Sequence, residues 1–110
     1  MQSYMHGTGR RNLKHLNDHQ EECLQIMIEE CAEVIQDASK IKRFGLVGKR
    51  VDGKTNLHHL ESEIGDVLAM IDLIVGAGLG VTREGIDTAK ADKFVRLSKY
   101  MHTWNQGNIQ

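Results

Sequence analysis

The sequence predicts an all-α fold, an antiparallel helical bundle completed by oligomerisation. Three segments show the apolar spacing of amphipathic helices, and none shows the sustained alternation of a half-buried strand. The chain has no proline, and eight of its 11 glycines cluster at residues 7–9, 45–53 and 76–80, outside these segments. Its 110 residues suffice for one domain with a modest core. We therefore expect a single domain over residues 1–110 that assembles as a dimer or a dimer of dimers.

The first helix is expected to begin at Asn17 or Asp18, since either side chain can accept a hydrogen bond from the first turn. Gln20 stands three residues after Asn17, which is the spacing of a capping box. The glycine of Phe44-Gly45 is expected to end the helix. The first helix is therefore predicted to be long.

The second helix is expected to use Asn56 as its N-cap and to run to about Val75, before the third glycine cluster. The connection that precedes it, GLVGKRVDGKTN, is predicted to be a mobile basic loop. Its cations are Lys49, Arg50 and Lys54.

The third helix is expected to be capped by Thr82 and to reach about Trp104. The segments outside the three helices, residues 1–16 and 105–110, are expected to be frayed.

Two pairs of carboxylates recur at matching positions of the first two helices. The strings ECAEVI and EIGDVL share one pattern, and their acids are Glu30, Glu33, Glu63 and Asp66. At about 100° per residue, each pair lies beside an apolar stripe that is expected to be buried. The first stripe comprises Met27, Cys31, Val34, Ile35, Ala38 and Ile41, and the second comprises Leu60, Ile64, Val67, Leu68, Ile71 and Ile74.

Four carboxylates brought together repel one another and need a cation. An all-oxygen set, without Cys or His in ligand spacing, favours Mg²⁺ or Mn²⁺ over zinc. Mg²⁺ commonly shares its ligands with substrate phosphates, so the pattern indicates phosphate chemistry. A single acidic run is usually a solvated helix face, but its recurrence on two helices favours a metal site.

The third helix carries Lys93 and Arg96 beside its apolar stripe. Two cations three residues apart can bind phosphate oxygens, and the other interpretation is surface pairing with Asp92. We expect Arg96 to contribute more to phosphate binding than Arg50, because a side chain on a packed helix is already positioned.

The composition argues against two classes of partner. A net charge of −1 gives no electrostatic basis for binding nucleic acid or an anionic membrane. No apolar run reaches the roughly 20 residues of a membrane span, and the segment MQSYMHGTGRR does not resemble a signal peptide. We expect a cytoplasmic protein.

These motifs resemble those of the MazG-like all-α nucleoside triphosphate pyrophosphohydrolases, which carry E-x-x-E on one helix and E-x-x-D on the next. The flanking strings IEECAEVIQ and LESEIGDVLAMID are similar to the motifs of that family, and KADKFVR resembles its later K-F-x-R element. The resemblance covers about residues 17–104.

The resemblance implies Mg²⁺-dependent hydrolysis of a nucleoside triphosphate, which we expect to be a deoxynucleotide, to the monophosphate and pyrophosphate. The implied metal ligands are Glu30, Glu33, Glu63 and Asp66. Glu29 or a ligand would serve as the base, Lys93 and Arg96 would bind phosphate, and Asp92 would contact sugar or base.

Two alternatives to this function stay open. The first is a non-catalytic helical oligomer whose acidic cluster binds a structural cation or a basic partner. The second is a dimeric all-α dUTPase-like enzyme, which shares the metal chemistry and differs in its substrate.

Overall fold

The computed structural model describes residues 15–104, which form three α-helices. The helices are α1 (Asp18–Phe44), α2 (Asn56–Val75) and α3 (Arg83–Tyr100). The all-α prediction is confirmed for this part of the chain. The ends expected to be frayed lie outside the described residues, apart from His15 and Leu16, which precede α1 without regular structure. Within the described range, no helix combines the length and the apolar character needed to cross a membrane.

The predicted start and end of α1 are confirmed. Gln20 donates its backbone N–H to Asn17 Oδ1 at 2.8 Å, and the Asn17 N–H donates to Gln20 Oε1 at 3.0 Å. This capping box satisfies two backbone donors at the helix start. Gly45 ends the helix with a φ of 89°, a conformation that favours glycine.

The prediction that Asn56 caps α2 is wrong by one residue. Thr55 is the N-cap, and its Oγ1 accepts a hydrogen bond of 3.0 Å from the His58 N–H. Asn56 is the first helical residue and is buried, because its side chain bonds to the connection instead. The predicted end at Val75 is confirmed.

The predicted cap of α3 is confirmed, but the helix is shorter than expected. Thr82 Oγ1 accepts a hydrogen bond of 2.9 Å from the Gly85 N–H. The helix ends at Tyr100 rather than near Trp104, because Met101 adopts extended backbone. This change of direction lets the Trp104 ring pack on Phe94, with 6.0 Å between the ring centroids.

The α1 and α2 helices form an antiparallel pair, which is the main helix–helix contact among residues 15–104. The start of α1 lies at the end of α2, since Gln20 Nε2 donates to the Ala77 carbonyl at 3.0 Å. Cys23 packs with Met70 and Ile74 in a small buried core between the helices. By contrast, α3 has no buried residue.

The connection between α1 and α2, which the sequence predicts to be a mobile loop, contains a hairpin held by hydrogen bonds. The Arg50 N–H donates to the Lys54 carbonyl at 2.9 Å, and Lys49 pairs with Thr55 in an isolated antiparallel bridge. The Leu57 N–H also donates to the Leu46 carbonyl at 2.9 Å. These bonds fix the backbone of the connection against the start of α2.

Much of the apolar surface predicted to be buried is exposed in the single chain. Ile35 is 70% exposed on α1 and Leu68 is 58% exposed on α2. The helices contact each other along the side that carries Glu30 and Glu63, which turns part of each predicted stripe outward. The radius of gyration is 18.7 Å, against about 13 Å for a compact domain of this length. The single chain therefore leaves apolar helix faces uncovered.

Candidate metal centre

Carboxylates from both helices of the antiparallel pair meet at one point. Glu30 on α1 and Glu63 and Asp66 on α2 each offer a carboxylate oxygen, and these oxygens lie within 4.8 Å of one another. Glu30 and Glu63 are half-buried and Asp66 is exposed, so the cluster opens to solvent on one side. Three of the four acids in the recurrent motifs, Glu30, Glu63 and Asp66, are thus brought together by the fold.

The environment of Glu63 disfavours its charged form. The pKa of Glu63 is raised to about 7. The largest cause is the neighbouring Glu30 carboxyl, to which a protonated Glu63 can donate a hydrogen bond. Burial and the charges of Glu30, Asp66 and Glu33 raise the pKa further. Glu63 Oε1 is buried and has no hydrogen-bond donor within residues 15–104. The group therefore needs either a proton or a cation at neutral pH.

The chemistry of these residues fits a hard divalent cation. Carboxylate oxygens are the ligands that Mg²⁺ and Mn²⁺ prefer. No lysine, arginine or histidine within the described range forms an ion pair with Glu30, Glu63 or Asp66. The charge of the cluster is therefore not balanced by that part of the protein.

The other two acids of the predicted site stand apart from this point. Glu33 is exposed, and its charge contributes to the raised pKa of Glu63, but it is not among the three acids whose oxygens converge. Glu29 is exposed and accepts a hydrogen bond of 3.2 Å from Gln25 Nε2 on the same helix.

The candidate phosphate-binding residues Asp92, Lys93 and Arg96 are exposed on α3. Because α3 makes no extensive contact with α1 or α2, packing within one chain does not join these residues to the carboxylates. Arg96 is therefore not held on a packed helix, which was the ground for expecting it to bind phosphate better than Arg50. In the single chain Arg50 is the better fixed of the two, since it donates to Asp37 and to Asn56.

Sequence reasoning missed one polar cluster, formed by Asp37, Arg50 and Asn56. Arg50 Nη2 lies 2.8 Å from Asp37 Oδ1, and Asp37 is only 2% exposed. One signal could have identified it. Asp37 follows Glu30 by two turns and so lies on the same side of α1, where an aspartate needs a partner.

No protein-family model, curated protein or solved structure matches this chain. The resemblance to the MazG-like enzymes therefore depends on the motifs themselves, and the activity that it implies is a proposal.

Proposed function

We propose that this protein hydrolyses a nucleoside triphosphate, with a deoxynucleotide as the expected substrate, to the monophosphate and pyrophosphate in a Mg²⁺-dependent reaction. The observation that carries the proposal is the convergence of Glu30, Glu63 and Asp66, with an oxygen of Glu63 buried and without a donor. A nucleotide substrate is proposed because the paired motifs and the K-F-x-R element resemble those of the MazG-like enzymes.

In this proposal the carboxylates of Glu30, Glu63 and Asp66 hold Mg²⁺ or Mn²⁺, and Glu33 completes the acidic side of the site. A bound divalent cation would offset the charge of the polyphosphate and lower the pKa of water. Glu29 is the candidate base outside the ligand set, because its carboxylate is exposed and lies on α1, next to Glu30 in the chain.

Lys93 and Arg96 bind the phosphates in this proposal, and Asp92 contacts the sugar or the base. We place these residues in the site through assembly, since α3 makes no extensive contact with α1 or α2 of its own chain. A second copy that covers Ile35 and Leu68 would make a four-helix core from two α1–α2 pairs. It would also supply a surface for the apolar side of α3.

A panel of ribonucleoside and deoxynucleoside triphosphates with Mg²⁺ tests the function, with pyrophosphate release as the readout. We expect release by the native chain and none by the Glu63→Gln variant, whose fold is checked by circular dichroism. Excess chelator should also abolish release. Full activity in Glu63→Gln or with chelator would contradict the assignment of the site.

The same panel separates the alternatives. A dUTPase-like enzyme would release pyrophosphate from dUTP alone. A non-catalytic oligomer would gain thermal stability from Mg²⁺ without releasing pyrophosphate from any nucleotide.

A further inference from the structure

The contacts between α1 and α2 repeat at intervals of seven residues on both helices. Cys23 packs with Met70, Glu30 meets Glu63, and Asp37 is joined to Asn56 through Arg50. Seven residues of helix correspond to about 10 Å. The acidic cluster is therefore the middle of three layers, with an apolar layer on one side and a polar layer on the other.

The polar layer is built around one guanidinium group. Arg50 Nη2 donates to Asp37 Oδ1 on α1 at 2.8 Å, and Arg50 Nε donates to Asn56 Oδ1 on α2 at 2.9 Å. Asn56 Nδ2 in turn donates to the Gly45 carbonyl at the end of α1, at 2.9 Å. Arg50 thus links Asp37 of α1 to Asn56, the first residue of α2, and Asn56 itself bonds to Gly45 at the end of α1.

These bonds determine how the two helices face each other. A slip of one residue along either helix would rotate its side chains by about 100° and separate Glu30 from Glu63. The apolar layer resists such a slip weakly, because apolar contacts are non-directional. The hydrogen bonds of Arg50 are directional, and Asp37 is too buried to exchange its partner for water at low cost.

We propose that Asp37, Arg50 and Asn56 are positioning residues, which fix the register of α1 and α2 and thereby hold the carboxylates of Glu30 and Glu63 together. The inference rests on the proposed function only because it treats the carboxylates of Glu30, Glu63 and Asp66 as the cation site. The Asp37–Arg50 ion pair lies about 10 Å from the carboxylates and sets their relative position through the register of the two helices.

A double-mutant cycle in the metal-free protein at pH 8 tests the proposal. If the helices are locked in this register, Glu63→Gln relieves the repulsion and raises Tm by about 5 °C. In an Arg50→Met chain the carboxylates can move apart, so Glu63→Gln should give little or no gain. Independent sites at this separation would show equal gains in both chains.

Arg83→Met is the matched control, because Arg83 also pairs with an aspartate, Asp72, but in an exposed position (58% and 66% exposed). The gain from Glu63→Gln should persist in that background. If Arg50→Met does not fold, the Asp37→Asn/Arg50→Gln chain replaces it, since it removes the charged pair without leaving a buried charge. There too the gain should be reduced.

Mn²⁺ binding, measured by calorimetry on folded protein, gives a second readout. We expect its Kd to rise about tenfold in Arg50→Met, which corresponds to about 1.4 kcal/mol of binding free energy, less in Arg50→Lys, and not at all in Arg83→Met. An undiminished gain from Glu63→Gln in the Arg50 variants, or no gain in any chain, would overturn the proposal. Lack of pyrophosphate release would overturn the proposed function, whereas the Tm differences of the cycle would still decide whether Arg50 fixes the register.

Discussion

Glu63 is the residue whose ionisation depends most clearly on its neighbours. Its pKa is raised from 4.5 to about 7, so the folded protein holds this proton more tightly than the unfolded chain. The stabilisation is fully present below pH 4.5 and is lost as the pH rises through about 7. We expect metal-free protein to lose stability over this interval, by about 1 kcal/mol after allowance for screening by solvent.

Urea unfolding between pH 4 and 8 in the presence of chelator measures this dependence. In Glu63→Gln the loss should disappear, and above pH 7 the variant should be more stable than the native chain. Glu29→Gln is the control, because Glu29 is exposed and lies outside the converging carboxylates. An unchanged pH profile in Glu63→Gln would show that another group is responsible.

Replacing Arg96 by alanine is expected to lower activity, whereas replacing Arg50 by alanine is expected to lower stability. Arg96→Ala should lower kcat/KM about 10–100-fold, through the loss of charge-assisted contacts to phosphate, with little change in stability. Arg50→Ala should lower the free energy of unfolding by about 3 kcal/mol, because it leaves Asp37 buried and unpaired.

Steady-state kinetics and urea unfolding of the two variants separate these effects. Arg83→Ala should change stability by less than about 0.5 kcal/mol, as expected for an exposed ion pair. If Arg96→Ala keeps native kcat/KM, the phosphate-binding role proposed for α3 is wrong.

At the level of single elements, Gln20 links the start of α1 to the end of α2. Its backbone N–H and side-chain oxygen form the capping box with Asn17, and its Nε2 donates to the Ala77 carbonyl. Asn17→Ala should lower the free energy of unfolding by about 1 kcal/mol, the usual cost of losing an N-cap. Gln20→Ala keeps the backbone bond to Asn17 Oδ1 but removes the side-chain bonds to the Asn17 N–H and to the Ala77 carbonyl, so it should lower the free energy of unfolding by about 1–2 kcal/mol.

Chemical denaturation of both variants measures the two losses of stability. Gln25→Ala serves as the control, since Gln25 is exposed and, within residues 15–104, its side chain bonds only to Glu29 on its own helix. A native free energy of unfolding in Gln20→Ala would mean that neither side-chain bond of Gln20 contributes to stability.

At the level of the whole molecule, the exposed apolar faces of α1 and α2 predict an oligomer. Ile35→Asp and Leu68→Asp should each dissociate the assembly, because both side chains are exposed in one chain and would be buried by a second copy. Sedimentation velocity would show a smaller species in each variant, while circular dichroism should report retained helix in the monomer.

Val51→Asp is the control for this prediction, because Val51 is an equally apolar, fully exposed residue in the hairpin. It should leave the sedimentation of the native chain unchanged. A native chain that is folded and active as a monomer at low concentration would contradict the predicted assembly.

Much of the local structure could be predicted from sequence. The caps at Asn17 and Thr82, and the helix ends at Phe44 and Val75, depend on short-range signals that act within one turn. The nearness of Glu30 to Glu63 could also be predicted, because a recurrent motif on two helices joined by a short connection suggests that the motifs meet.

The sequence by itself thus determined where the helices lie and that carboxylates of α1 and α2 come together. Only the tertiary structure decided which side of each helix is covered, and it placed Ile35 and Leu68 outward. It also decided that Asp37 and Asn56 are the hydrogen-bond partners of Arg50. The physical reason is range: caps are satisfied by neighbours in sequence, whereas a buried charge is satisfied by whatever group the packing of two helices brings to it.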